Sequence, residues 1–148
     1  MASDSHLAGY IALAEFRYRI RRFLNATDQA VRSAGLEPEQ YQLLLAVRGM
    51  PADQAATIRA LAERLQVRHN TVVERVDRLA RRGLVRRGRS RSDRRVVIVG
   101  LTTRGNRVFE RLARMRLQEL RQVGPELVAA LGDVVEAARH LETARHKN

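Results

Sequence analysis

Over most of the chain the apolar positions recur at intervals of three and four residues, the spacing of helices with one buried face; the pattern changes only near residues 84–99. Residues 7–33 are rich in helix formers, with no proline and one early glycine, and Gly35 stands where a helix commonly stops. Pro38 follows Glu37 as a first-turn proline, and Tyr41, Leu44, Leu45 and Arg48 trace a stripe that ends at Gly49-Met50-Pro51. Ile58, Leu61, Ala62 and Leu65 predict a short third helix closing near Gln66. A fourth begins between His69 and Thr71 and runs to Arg82, with Gly83 as its terminator. Thr71-x-x-Glu74 has the form of a capping box and favours the later start, whereas the short distance from the third helix favours the earlier one.

Residues 84–87 and 96–99 are β-branched or apolar runs joined by the polar segment 88–95, which predicts a two-stranded hairpin with a basic tip. Thr102 or Thr103 then caps a long helix to about Val123. Gly124-Pro125 is expected to break it before a last helix reaching about Arg145. In that last segment Leu127, Leu131, Val134, Ala138 and Leu141 form a coiled-coil-like seam, which calls for a partner helix.

A short helix, a three- or four-residue turn, a second helix and a hairpin within about 50 residues is the order of a winged helix-turn-helix. The expected fold is mainly α: a winged helix-turn-helix over residues 36–102 with a small antiparallel β-hairpin wing, and an all-helical dimerisation region from residues 1–35 and 103–148. The fourth helix has two usable faces. Val72, Val76 and Leu79, with Val73 and Ala80, point one way, and Thr71, Arg75, Arg78 and Arg82 another, roughly 130° apart on a helical wheel. Burying the first stripe leaves the second exposed. Its first turn, Arg68, His69, Asn70 and Thr71, holds residue types suited to base edges in a major groove: Arg for guanine, Asn for adenine, Thr for phosphate or a thymine methyl. The alternative for Arg75, Arg78 and Arg82 is a solvated face paired locally with Glu74 and Asp77.

Charge sharpens this picture. The net charge is +12, and residues 68–95 hold eleven arginines against Glu74, Asp77 and Asp93, which accounts for eight of it. Lys147 is the only lysine, a bias that a genome rich in G and C would also produce, so location carries more meaning than amount. At the hairpin tip Arg89, Arg91, Arg94 and Arg95 surround Asp93, a cluster of cations that suits a narrow minor groove if it is not simply solvated.

The run TIRALAERLQVRHNTVVERVDRLARRGLVRR, the Asp93-Arg94-Arg95 wing and Leu101-Thr102-x-x-Gly105 resemble the multiple antibiotic resistance regulator (MarR) family, closely over about residues 36–110 and by pattern beyond. The resemblance implies a recognition helix at 69–82 in the major groove, Arg95 in the minor groove with Asp93 orienting it, and an obligate dimer built by the first and last helices. Two departures stand out: Arg68 occupies a position where members often have a small capping residue such as Ser, and the cysteine of the peroxide-sensing branch is missing. The resemblance also implies a small aromatic or anionic effector. Tyr10, Phe16, Arg17, Arg21 and Tyr41, in the first two helices, are the candidates, although ordinary core packing accounts for the aromatics equally well.

Other functions fare worse. The four histidines are scattered, no acid–base pair sits at a spacing that helix geometry would explain, and the absence of cysteine removes thiolate chemistry and thiolate zinc sites. Neither catalysis, metal nor cofactor is expected. Gly83 to Arg89 mimics a phosphate loop but follows a helix and ends in Arg rather than Lys. With no run of about 18 apolar residues and no leader pattern, a cytoplasmic, nucleoid-associated protein without membrane contact is expected. The sequence therefore predicts a homodimeric regulator of transcription that binds a pseudo-palindromic site in double-stranded DNA, with repression as its output. The rival is a sequence-indifferent architectural DNA binder.

Overall fold

The computed structural model describes residues 2–145, in the order α1 (Ala2–Ser33), α2 (Pro38–Arg48), α3 (Ile58–Leu65), α4 (His69–Arg81), β1 (Val85–Arg89), β2 (Val97–Leu101) and α5 (Thr103–Arg145). The chain is mainly helical with one two-stranded antiparallel sheet, the winged-helix class expected. Its described residues divide into two compact units. Residues up to Gln29 and from Arg116 onward form one, and Ala30–Met115 form the other.

The second unit holds the hydrophobic core. α1 ends where Gly35 takes φ +81°, a left-handed backbone that favours glycine, and the N–H of Leu36 donates to the Val31 carbonyl at 3.1 Å. Val31 and Leu36 are both buried beside that turn. The backbone N–H of Glu37 donates to Gln40 Oε1 (3.0 Å) at the start of α2. α2 buries Tyr41, Leu43 and Leu44, whereas Leu45 and Arg48 are exposed, so the expected stripe is rotated by about one position. Three consecutive leucines at 43–45 fit either face, and periodicity has nothing to choose between them.

α3 is capped by Thr57, whose Oγ1 accepts the Ala60 N–H (3.1 Å), and it closes on Gln66 at φ 54°. A three-residue turn then leads to α4, which begins at His69. The later start at Thr71 is excluded: the N–H groups of Thr71 and Val72 already donate to the Arg68 carbonyl, so Thr71 lies inside the first turn and cannot cap it. α4 closes at Gly83 (φ +70°), with the Leu84 N–H on the Leu79 carbonyl at 3.0 Å.

The hairpin is displaced from its expected limits. Gly88 and Arg89 belong to β1, paired with Ile98 and Val97, and the loop is confined to residues 90–96. β2 is anchored on the other side by an isolated bridge between Ile98 and Thr57 and by the Val99 N–H on the Ala56 carbonyl (2.9 Å). Thr102 joins the hairpin to α5. Its N–H donates to the Leu84 carbonyl (3.1 Å), and its hydroxyl donates to the Gly83 carbonyl (2.6 Å) while accepting the Gly105 N–H (3.0 Å). A Cβ at Gly105 would stand 1.9 Å from the Leu84 carbonyl oxygen, so this helical position admits no side chain.

α5 runs unbroken for 43 residues with Pro125 inside it, which corrects the expected break at Gly124-Pro125. Proline deletes one N–H···O link, and the good helix formers on both sides supply the rest of the ladder. In the first unit Arg19 pairs with Glu15 (2.8 Å) and with Glu126 of α5 (2.5 Å), and Gly9 lies against Leu141. Of the expected seam, Leu127, Val134 and Leu141 are partly buried, while Leu131 and Ala138 are exposed. Val128, Leu131 and Val135 form an exposed apolar stripe on α5, as Leu7, Tyr10 and Ile11 do on α1.

Candidate nucleic-acid interface

α4 divides sharply by face. Val72, Val76 and Leu79 are 0% exposed, and removing each from water contributes roughly 1.5–3 kcal/mol. That burial fixes the helix's rotation about its axis. Arg68, His69, Asn70 and Arg78 are exposed, and Thr71 and Arg75 are half-buried. Among the described residues neither Arg75 nor Arg78 has a carboxylate within ion-pairing distance, so the local pairing considered as an alternative is not present. Arg68 occupies the cap position with extended backbone (φ −71°, ψ 153°) and its side chain makes no cap bond. The first N–H groups of α4 are thereby left for water or an anion.

Arg82 does not share that face. Its guanidinium donates to Gln40 Oε1 (3.0 Å) and to the Gly35 carbonyl (2.8 Å), tying the end of α4 to the turn before α2. Asp77 also differs from expectation: it accepts a hydrogen bond from Arg87 Nη2 of β1 instead of pairing along its own helix.

The wing is organised around Asp93. Its carboxylate accepts from the Arg95 backbone N–H (3.0 Å), from Arg95 Nε (3.1 Å) and from Arg95 Nη2 (3.2 Å), a forked pairing of a guanidinium that is 91% exposed. The Arg95 side chain, and then its backbone N–H, hold the Asp93 carboxyl below the usual carboxylate range. The Asp93 carbonyl accepts the Val96 N–H, and Ser90 Oγ accepts the Asp93 N–H, which closes the loop. Arg89 is exposed at the end of β1, and Arg91 and Arg94 are exposed in the loop.

This combination of a two-faced second helix and an Asp-braced wing lies almost wholly within residues that match a family model described as MarR family, residues 34–96. Residues 34–96 are a MarR-family segment. Among solved structures, the chain is similar to AbsC, a MarR family transcriptional regulator from Streptomyces coelicolor (18% identity, 94% of this chain and 95% of that one, TM-score 0.70). It is similar also to the PcaV transcriptional regulator of Streptomyces coelicolor in complex with its natural ligand (26%, 82% and 89%, TM-score 0.57). A third is a mutant of S. aureus MepR bound to an oligodeoxyribonucleotide (22%, 90% and 95%, TM-score 0.61). No curated protein sequence matches the chain.

The effector candidates are not gathered at one place. Tyr41 is buried in the core of the second unit, stacked on Phe109 with ring centroids 6.2 Å apart. In the first unit Tyr10, Arg17 and Arg21 are exposed and Phe16 is half-buried. A cavity of about 140 Å³ in that unit is lined by other residues, among them Arg19, Arg22, Phe23, Glu119 and Leu127. Among the described residues there is no cluster of three acids or histidines able to hold a metal, and no helix is long and apolar enough to cross a membrane.

Proposed function

We propose that the chain is a sequence-specific regulator of transcription that binds a pseudo-palindromic operator in double-stranded DNA as a homodimer and represses. One observation carries this reading. α4 hides Val72, Val76 and Leu79 completely, carries Arg68, His69, Asn70, Thr71, Arg75 and Arg78 on its exposed and half-buried positions, and stands beside a wing whose Arg95 is held by Asp93. A helix of that kind fits a major groove, and a tethered guanidinium at a hairpin tip, with Arg89, Arg91 and Arg94 around it, fits the adjacent minor groove. The oligodeoxyribonucleotide bound to the MepR mutant supports the same use of the fold. The exposed apolar stripes of α1 and α5 support a second copy as the cover for the helical unit. Release by a small aromatic or anionic effector belongs to the same proposal. It draws on the ligand complex of PcaV and on Arg17, Arg21, Tyr10 and Phe16 of α1; Tyr41, committed to the core, leaves the candidate set.

The test is selection of bound duplexes from a random pool. An inverted repeat is expected, with half-sites about one DNA turn apart. Arg95→Ala should weaken binding to the selected and scrambled duplexes alike, whereas Asn70→Ala or Thr71→Ala should change the preferred base by about 1–3 kcal/mol. Equal losses on both duplexes for all three variants, with no enriched repeat, would favour an architectural binder. Thermal shifts with a panel of aromatic acids test the effector.

A further inference from the structure

Between the first turn of α4 and the hairpin lies a cleft of about 550 Å³. Its apolar lining includes Ile58 and Val73, and its cationic or titratable lining is Arg59 from α3, His69 from α4, Arg87 from β1 and Arg95 from the wing. No acid lines it. Four elements thus contribute to a cleft lined by apolar and basic side chains, between the helix and the wing already described.

We propose that this cleft seats the sugar-phosphate backbone running between the groove read by α4 and the groove entered by the wing, with Arg59 and Arg87 as its phosphate contacts and Asp77 as the residue that orients Arg87. The proposal rests on the DNA-binding reading above and adds residues which that reading leaves out. A strand that passes from a major-groove helix to a minor-groove wing must cross the space between them, and the cleft is that space. Deoxyribose suits the apolar lining, and a phosphodiester suits the guanidinium groups. Asp77 meets Arg87 through Nη2 alone, and a guanidinium has five N–H donors, so Nε and Nη1 keep theirs for an anion. The device is the one seen at Asp93 and Arg95: a carboxylate sets a guanidinium in place. The sign of its effect makes Asp77 diagnostic. By charge alone, a carboxylate near DNA weakens binding; as an orienter of Arg87 it strengthens binding.

The experiment uses the full chain, a duplex selected by the wild type and a scrambled duplex of the same composition, titrated by fluorescence anisotropy over a salt series. Arg59→Gln and Arg87→Gln each remove one phosphate contact from both copies of the dimer, so each should flatten the slope of log K against log salt by about 1.8 and weaken binding roughly thirtyfold at about 0.15 M salt, on both duplexes and with base preference unchanged. Asp77→Asn should weaken binding in the wild type, and in the Arg87→Gln background that weakening should vanish and leave only the slight gain expected from removing a negative charge, with urea unfolding reporting that each variant is folded. Unchanged slopes for Arg59→Gln and Arg87→Gln while Arg95→Ala still loses affinity would overturn the cleft alone, as would tighter binding by Asp77→Asn. A wild type that binds no duplex would overturn the regulator reading together with this one.

Discussion

Arg95 is almost fully solvated, and a free guanidinium there would lose most of its rotamer freedom on entering a narrow groove. Asp93 removes part of that cost beforehand by holding the side chain through two bonds. Because the folded carboxyl titrates below its ordinary value, the pair is complete above the ordinary range and is lost only as pH falls through the lowered one. The ratio of wild-type to Asp93→Asn affinity should therefore be the same at about pH 5.5 and about pH 8; a ratio collapsing toward one at the lower pH would contradict the pairing. Asp93 and Arg95 were legible in the sequence because they are two residues apart, within reach of any turn. The Asp77–Arg87 pair was not: ten residues separate its members, and only the register of the hairpin against α4 brings them together.

Elements were legible wherever burial is one-sided. α3 and α4 have steep apolar stripes, and the structure buries Ile58, Leu61, Val72, Val76 and Leu79 as their spacing requires. The pattern failed where the sequence is locally degenerate, as at Leu43, Leu44 and Leu45, and where a breaker residue is outvoted by its neighbours, as at Pro125 in α5. Arg82 shows a further limit. Helical spacing aligned it with Arg75 and Arg78, yet it sits at the C-cap, where the chain turns back and the Gly35 carbonyl is within reach. Arg82→Ala should accordingly lower unfolding free energy by about 1–3 kcal/mol, read by urea denaturation, and leave the salt slope of DNA binding unaltered. Arg78→Ala should do the reverse, flattening the slope by about 1.8, one contact from each copy of the dimer, with little change in stability.

At the scale of the whole molecule, positive charge and exposed apolar surface occupy different units. The basic cluster belongs to Ala30–Met115, and the uncovered leucines and valines of α5 to the other unit, where Val128 is 72% exposed. If a second copy covers that stripe, Val128→Glu with Leu131→Glu should shift the chain to monomer mass in sedimentation at micromolar concentration. Affinity for the selected duplex should then fall by roughly a hundredfold or more, because each half-site is held alone. The seam was readable as a repeat of apolar residues, but which of its members face a partner was not, since α1 takes one side of it: Leu127, Val134 and Leu141 are partly covered within the chain while Leu131 is not. The junction at Thr102 has a mechanical corollary. Gly105 is seated directly on the Leu84 carbonyl, and four hydrogen bonds converge on one threonine. A displacement of the first turn of α5 is therefore expected to carry the root of the hairpin with it.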